Sequence, residues 1–258
     1  MTAASTLATT FRKFHIPGKP ILLINIYDAV TARAVAELPR TRALATASYA
    51  VALAAGVTDD DMTMETNLAA VTAVAGVAKE KGLPLSVDWQ DGYGSRLEEG
   101  IEKLLDNGVV GINLEDCDKS TQKMIAVDDA ADRVRRVLAV AKKRGVDDFV
   151  VNARTDILDH DGPVSEADTR GRAYLAAGAT TVFVWGGSIR GGVTKKEVIE
   201  LSEAFDGKLN VSLKTAPGNL TAQDLAQIGV ARLSIGPALQ FVVADVFARE
   251  AEKLMHST

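Results

Sequence analysis

Cysteine and aromatic residues are scarce in this sequence of 258 residues, which has one cysteine, Cys117, and 5% aromatic residues. Because a single cysteine cannot form an intrachain disulfide, we predict a reducing compartment and a cytoplasmic location. Side chains that could stack on bases are few, and the net charge is −5 rather than positive. Nucleic acids require a basic surface, so we expect no nucleic-acid partner.

Long apolar runs are also missing. No segment contains the ~18 consecutive apolar residues of a membrane-spanning helix, so we expect no membrane partner. The N-terminal stretch is rich in Ser and Thr and lacks the apolar core of a secretory signal. We therefore interpret residues 1–20 as a flexible or docking N-terminal arm that precedes the folded domain.

What the sequence does contain is a series of eight short apolar runs at regular intervals. Runs that are almost continuously apolar are typical of strands buried on both faces, as in a parallel sheet. The predicted strands are residues 21–25, 43–48, 83–88, 111–116, 149–155, 180–185, 209–213 and 232–236. Helical patterns predict helices at residues 66–81, 95–107, 128–144, 165–177, 194–205, 221–228 and 237–255.

Eight strand–helix units predict a single-domain α/β fold, the (β/α)8 or TIM barrel, over residues 21–258. The chain length is close to the ~250 residues of a typical barrel. A doubly wound open sheet is the alternative, but it normally carries a glycine-rich fingerprint after its first strand. Here Tyr27 and Asp28 follow the first strand instead.

Charged side chains end three of the apolar strands, and the active sites of barrels lie at these carboxyl ends. Asp88, Glu115 and Arg154 are therefore our candidate catalytic residues. Carboxylates suit Mg²⁺ or Mn²⁺, and arginine suits a substrate carboxylate or phosphoryl group. A buried structural network of ion pairs is the alternative interpretation. The ends of the strands deliver further polar or aromatic candidates for the site, namely Tyr27, Ser48, Tyr49, Gln90, Trp185 and Asn210.

Four ordered motifs resemble the isocitrate lyase/phosphoenolpyruvate mutase superfamily, and the similarity extends over most of the chain. It is strongest to the branch labelled phosphoenolpyruvate mutase-like or carboxyphosphonoenolpyruvate phosphonomutase-like. The motifs are SVDWQDGYG at 86–94, GINLEDCD at 111–118, NARTDIL at 152–158 and AYLAAGATTVFVWGG at 173–187. The resemblance implies a Mg²⁺-dependent barrel, commonly a tetramer, whose C-terminal helix is often exchanged between subunits. Family members cleave or form C–C or P–C bonds next to a carboxylate, through enolate-like species.

The resemblance also implies roles by position. Asp88 matches the metal-binding aspartate, Glu115 the carboxylate that holds a water of the metal, and Arg154 the arginine that grips the substrate carboxylate. Ser48 and its neighbour Tyr49 match the segment that binds the oxyanion or phosphoryl end. Asp59 matches an acidic residue of the following loop, Tyr27 an aromatic residue of the pocket wall, and Asn210 a polar group on strand seven.

Two departures from the family pattern affect the predicted chemistry. The usual D-x-D-x-G-Y-G becomes DWQDGYG at 88–94, so Gln90 replaces the second acid as a neutral oxygen donor to the metal. The K-K-C-G-H loop of the isocitrate lyase and methylisocitrate lyase branches is absent, and Cys117 lies too early to supply its acid. We therefore do not expect classical isocitrate lyase activity.

Three functional hypotheses follow. The leading one is a Mg²⁺-dependent lyase that cleaves a C–C bond next to a carboxylate of a 2-oxo or 2-hydroxy acid. The second is a phosphonate mutase or hydrolase acting on a P–C bond, and the third, motivated by Gln90, is a binding barrel that has lost catalysis. We expect a small carboxylic acid as substrate and a homo-oligomer, tetramer or dimer. The apolar residues that support an oligomer lie in the C-terminal helix: Leu239, Phe241, Val242, Val246, Phe247 and Leu254.

Overall fold

Eight parallel strands form the centre of the computed structural model, which describes residues 2–256. Residue 1 of the predicted arm and residues 257–258 of the predicted domain lie outside this range. Strand β1 has two halves, Ile21–Leu23 and Asn25–Ile26. The others are β2 Leu44–Thr46, β3 Leu85–Asp88, β4 Gly111–Glu115, β5 Val150–Thr155, β6 Thr181–Val184, β7 Leu209–Ser212 and β8 Arg232–Ser234. Every strand lies inside a predicted apolar run, except that β1 extends one residue beyond its run, to Ile26.

Strand β1 closes the sheet into a barrel. Parallel ladders join β2 to β8 in order around the sheet. The first half of β1 pairs with β8, where Ile21 lies opposite Arg232, and the second half pairs with β2, where Asn25 lies opposite Ala45. The predicted (β/α)8 barrel is therefore confirmed, and the carboxyl ends of all eight strands face one side.

The described residues form ten α-helices around and below the barrel, and those from α4 onward match the predicted helical patterns within two residues. They are α1 Ala3–Arg12, α2 Ala29–Ala36, α3 Ser48–Ala54, α4 Met64–Lys81, α5 Leu97–Asp106, α6 Val127–Lys143, α7 Val164–Ala176, α8 Lys195–Ala204, α9 Ala222–Ile228 and α10 Ala238–Met255. Helices α1, α2 and α3 were not predicted from the sequence. None of the helices within residues 2–256 is both long and apolar enough to cross a membrane.

Helix α1 covers the amino-terminal end of the barrel. Its side chains Ala8 and Phe11 are fully buried. Phe11 lies against Gly111 at the start of β4, where a Cβ atom would come within 2.9 Å of the ring. Gly111 thus allows the close approach of the aromatic ring to the strand. The segment that we interpreted as an arm forms, over residues 3–12, a docked helix that closes one end of the barrel interior.

Candidate active site

A cavity of about 430 Å³ opens at the carboxyl ends of the strands, and Asp88 and Arg154 both lie in its wall. The structure therefore brings two of the three charged candidates together in one cavity at the strand ends. Five other predicted site residues line the same cavity: Ser48, Tyr49, Asp59, Trp185 and Asn210. Three predicted residues, Tyr27, Glu115 and Gln90, lie outside the cavity wall although the structure describes all of them.

The carboxylate of Asp88 is fixed by neutral hydrogen-bond donors. Its Oδ1 accepts a hydrogen bond of 2.8 Å from Nδ2 of Asn113, and its Oδ2 accepts one of 2.9 Å from the backbone N–H of Ser48. Neither donor carries a charge, and within residues 2–256 no cationic side chain forms an ion pair with Asp88. Asp88 therefore faces the cavity without a direct ion-pair partner, and its charge acts at longer range on Arg154 and Arg232.

A chain of side-chain hydrogen bonds sets the orientation of Asn113. The hydroxyl of Thr181 donates to Oδ1 of Asn152 at 2.6 Å, and Nδ2 of Asn152 donates to Oδ1 of Asn113 at 2.8 Å. The amide N–H₂ of Asn113 is then directed at Asp88. Since every member of the chain donates towards the aspartate, the network fixes the orientation of the amide that binds Asp88.

The guanidinium of Arg154 is fixed on three sides. Its Nε and Nη2 atoms donate to the two oxygens of Asp156 at 2.5 and 3.1 Å, and Nη1 donates to Oε1 of Glu115 at 2.9 Å. The guanidinium carbon lies 4.2 Å from the ring centroid of Trp185, a cation–π distance. Burial by itself lowers the pKa of Arg154, but the charges of Asp156 and Glu115 outweigh it and raise that pKa.

Glu115 is buried behind Arg154, outside the cavity wall. Burial raises its pKa well above the ordinary range, and the charges of Asp156 and Asp88 raise it further, against the opposing effect of Arg154. More negative charge is therefore gathered here than one arginine neutralises. A cation placed near Asp88 would lower the pKa of Glu115 and relieve this crowding.

Gln90 faces Asp59 instead of the cavity. Its Nε2 donates to the backbone oxygen and to Oδ1 of Asp59, both at 2.9 Å, while the φ angle of +50° at Gln90 takes the chain out of the strand conformation. Nζ of Lys119 donates to Oδ2 of the same aspartate at 3.1 Å. Gln90 therefore anchors the loop that carries Asp59, and the contact with Lys119 was not foreseen from the sequence.

Asp116 and Cys117, which follow Glu115, belong to the supporting structure. Asp116 is buried and accepts hydrogen bonds from the hydroxyl of Tyr174 at 2.6 Å and from Nη1 of Arg170 at 3.1 Å. Burial raises the pKa of the Cys117 thiol to about 12, and the nearby carboxylates add to that shift. A thiol with so high a pKa does not supply a thiolate nucleophile at neutral pH.

The cavity wall also contains residues that the sequence reasoning missed. Ser86 and Asn113 are examples, and each lies two positions before one of the three charged candidates. Since side chains of a strand alternate between its two faces, residues two positions apart share a face. The alternation of side chains along the strands could therefore have identified these cavity residues from the sequence. Buried Arg232 at the start of β8 also lines the cavity and had no such signal, because no charged candidate follows it.

The donor set fits a divalent cation held by few protein ligands. Among residues 2–256, no three His, Cys, Asp or Glu side chains are grouped closely enough to hold a metal ion. Mg²⁺ commonly keeps several waters and uses only one or two carboxylates together with substrate oxygens. Asp88, which has no direct ion-pair partner, and the negative charge gathered around Glu115 suit a Mg²⁺ ion of this kind, for which Asp88 would be the direct ligand.

The structure is that of a (β/α)8 barrel with a carboxylate and an arginine in one cavity at the carboxyl ends of its strands. Comparison with known sequences identifies the family. The phosphoenolpyruvate phosphomutase family model matches residues 11–255, so the chain belongs to this family. The resemblance to the isocitrate lyase/phosphoenolpyruvate mutase superfamily is thereby confirmed.

The relatives include proteins of different activities. The chain is 31% identical to an uncharacterised protein of Mycobacterium tuberculosis, over 88% of this chain and 81% of that protein. It is 30% identical to 2-methylisocitrate lyase of Shewanella oneidensis, over 67% of this chain and 60% of that enzyme. Lyases and phosphomutases both occur among the relatives, so family membership alone does not select the reaction.

Solved structures show the same fold. A Burkholderia cenocepacia J2315 protein named as a phosphonomutase superposes with a TM-score of 0.85 at 31% identity, covering 97% of this chain and 99% of that one. Phosphonopyruvate hydrolase, solved in complex with oxalate and Mg²⁺, has a TM-score of 0.79 at 23% identity, with 98% and 88% of the two chains covered. At that identity the second comparison speaks for the fold alone.

Proposed function

We propose that the protein is a Mg²⁺-dependent lyase that cleaves a C–C bond next to a carboxylate of a 2-oxo or 2-hydroxy acid. The observation that supports it is the presence of Asp88 and Arg154 in the wall of one cavity. An unpaired carboxylate suits a divalent cation, and an arginine suits the carboxylate of a substrate. The Mg²⁺ bound to phosphonopyruvate hydrolase is consistent with this assignment.

Arg154 is suited to orient the substrate. Its contacts to Asp156 and Glu115 use three of the five guanidinium N–H groups, which leaves one on each terminal nitrogen. These two parallel donors match the two oxygens of a carboxylate. Because Trp185 and two acids fix the guanidinium before the substrate arrives, little ordering is required on binding.

Asp88 would hold the metal directly, and Glu115 would hold it through water. When bound, the metal supplies a Lewis acid that stabilises the negative charge developing on an enolate oxygen. Asp59 lines the same cavity and accepts from both Lys119 and Gln90, so we assign it the proton transfer. Ser48, Tyr49, Trp185 and Asn210 form the remaining substrate-binding surface.

Turnover of a panel of 2-oxo and 2-hydroxy acids, including oxaloacetate, tests this proposal. The assay compares Mg²⁺ with excess EDTA, and the wild type with Asp88→Asn and Arg154→Met. Asp168→Asn and Arg172→Met are matched controls, because these two residues form an exposed ion pair with each other. We expect cleavage that requires Mg²⁺ and is lost in both cavity variants but in neither control. Equal turnover in Asp88→Asn, Arg154→Met and the wild type would refute the proposal.

Phosphonate chemistry is the second candidate, supported by the phosphomutase description of the family model and by the Burkholderia protein named as a phosphonomutase. Incubation with phosphonopyruvate and Mg²⁺, followed by phosphorus-31 NMR, would show a shifted resonance if the P–C bond is rearranged or cleaved. An unchanged spectrum at saturating substrate would remove this candidate. If the 2-oxo acids are also left intact while Mg²⁺ and an acid still bind together, the barrel is a binding protein.

We also propose that the protein is a homo-oligomer, tetramer or dimer, in which α10 packs on a neighbouring subunit. No residue of this 18-residue helix is buried, and Phe247 is 76% exposed. Its start is tied to the barrel, where Gln240 Nε2 donates to the backbone oxygen of Ala50 at 2.8 Å. Light scattering should show an oligomer that Phe247→Glu dissociates and that Val30→Glu, at an equally exposed apolar position on α2, leaves intact. A monomeric wild type would contradict this.

A further inference from the structure

A second cavity lies beside the active-site cavity, on the same side of the barrel. Its volume is about 590 Å³, and the segments that follow β6 and β7 form most of its wall. The two cavities share four wall residues, which are Phe183, Trp185, Ser188 and Ser212. Neither Asp88 nor Arg154 lines the second cavity, so it is distinct from the site of the proposed lyase.

The wall of this second cavity is cationic. It contains three positively charged side chains, Arg190, Lys195 and Lys214, and no carboxylate from the described part of the chain. The protein as a whole has a net charge of −5, so the positive wall is contrary to the overall charge balance. A cleft lined by charges of one sign attracts ligands of the opposite sign.

The three cations differ in whether a carboxylate neutralises them. Nη2 of Arg190 lies 2.7 Å from Oε1 of Glu197, so this arginine is paired. Lys195 has no carboxylate at ion-pair distance within residues 2–256, although its charge acts at longer range on Asp224. Lys214 forms neither a hydrogen bond nor an ion pair with any residue of the same range. The ammonium group of Lys214 is therefore the cation most available to a ligand.

A glycine-rich loop sets the position of Lys214. A Cβ atom at Gly192 would lie 2.8 Å from Nζ and 3.0 Å from Cε of Lys214, so the lysine side chain lies directly against this glycine. A Cβ atom at Gly186 would in turn lie 2.4 Å from the carbonyl carbon of Gly192, and the N–H of Gly192 donates to the backbone oxygen of Gly187 at 2.9 Å. The two ends of the loop thus pack together, and the absence of a side chain at Gly192 keeps the ammonium group in the cavity wall.

The rest of the wall offers an apolar surface, of which Val198 and Leu225 are buried parts. Ligand pockets combine such a surface with a few polar or charged groups that fix the orientation of the ligand. An inorganic ion would use only the cations and leave the apolar surface in contact with water. The wall therefore suits an organic anion. Its apolar members are Val193, Val198, Val211, Leu220 and Leu225.

We propose that this second cavity binds a small organic anion that is not the substrate of the first cavity. The anionic end, a phosphate or a carboxylate, contacts Lys214 beside Gly192. Lys195 adds positive charge, as does the amino-terminal end of α8, which begins at this residue. The apolar part of the ligand contacts Val211 and Leu220.

Calorimetry without Mg²⁺ tests the inference with three probes of similar size. Benzyl phosphate and phenylacetate each carry an anionic end, and benzyl alcohol carries none. We expect at least one of the two anions to bind the wild type about tenfold or more tightly than benzyl alcohol, the contribution of one charge-assisted hydrogen bond. The anion that binds more tightly identifies the end group.

The variants assign the preference for anions to the second cavity. Lys214→Met should remove most of it, whereas Lys196→Met should leave it intact, because Lys196 is an exposed lysine of α8 outside the cavity wall. Arg154→Met should also leave it intact, because this arginine lies in the first cavity only.

Four results would overturn the inference. They are a wild type without preference for anions, a preference that survives in Lys214→Met, an equal loss in Lys196→Met, and a loss in Arg154→Met, which would place the probe in the first cavity. Since the measurement requires neither Mg²⁺ nor turnover, its outcome is independent of the proposed lyase activity.

Discussion

The guanidinium of Arg154 lies 2.9 Å from the carboxylate of Glu115 and joins the carboxyl ends of β4 and β5. Of the two, only the arginine reaches the cavity, and the glutamate supports it from behind. The contacts with Asp156 and Glu115 fix the orientation of the planar guanidinium group as well as the position of its charge. We therefore expect Arg154→Lys to lower kcat/KM about 10-fold to 100-fold, because a lysine cannot span Asp156, Glu115 and a substrate carboxylate at once. Full activity in the lysine variant would show that a point charge suffices.

Glu115 should make the stability of the metal-free protein depend on pH. Its pKa in the folded state is raised, chiefly by burial, so its favourable contribution is fully present below the ordinary glutamate pKa of about 4.3. The contribution is lost as the pH rises through the higher folded-state pKa. In EDTA, the melting temperature of the wild type should therefore fall relative to that of Glu115→Gln as the pH rises above that ordinary value. Parallel curves for the two proteins would contradict the raised pKa, and added Mg²⁺ should reduce the difference.

Replacement of the buried arginines Arg170 and Arg232 should change the free energy of unfolding in different ways. Arg170→Met leaves the buried Asp116 without its cation and should cost about 3–5 kcal/mol in the free energy of unfolding. Arg232 has no carboxylate partner, so Arg232→Met should leave the ligand-free protein equally stable or more stable. Urea unfolding of both variants measures the contrast. A similar loss in both would mean that Arg232 has a structural role.

Gln90→Glu restores an acid to the position where the family has one, but we expect it to destabilise this protein. The amide Nε2 of Gln90 donates to Asp59, and a carboxylate there would instead repel it. The loss should be about 1–3 kcal/mol, reduced in part by Lys119, which lies next to Asp59. Thermal unfolding measures it, and the double variant Asp59→Asn with Gln90→Glu should recover most of the stability. An unchanged melting temperature in Gln90→Glu would show that the stability of the protein does not depend on the hydrogen bond between Gln90 and Asp59.

The sequence was sufficient to predict the barrel because each strand is a short, nearly continuous apolar run, and Asp88 and Arg154 could be placed because they end such runs. Gln90 could not be placed. The spacing of two residues from Asp88 indicates a shared face only while the chain remains a strand, and the positive φ angle at Gln90 ends that alternation. Glu115 remains within its strand, and its position behind Arg154 depends on contacts between two strands, which the sequence does not show.

Arg232 shows a different limit of sequence reasoning. An arginine at the start of a strand can pair with a carboxylate from any part of the chain, and only the folded structure shows that within residues 2–256 none lies at ion-pair distance from it. Helix α1 was not predicted because its many Ser and Thr residues were interpreted as an arm, although Leu7, Ala8 and Phe11 lie on one helical face. Its docking depends largely on Phe11, which fits against Gly111 of a distant strand.

The binding of oxalate with and without Mg²⁺ tests most directly whether this cavity holds a cation and a carboxylate together. Oxalate is a non-reacting two-carbon acid, and we expect its binding to require both Asp88 and Arg154. Calorimetry should show wild-type affinity at least about tenfold higher with Mg²⁺ than in EDTA. This enhancement should be lost in Asp88→Asn and retained in Asp168→Asn. Equal affinity with and without Mg²⁺, or an enhancement that persists in Asp88→Asn, would contradict a metal-dependent site at Asp88.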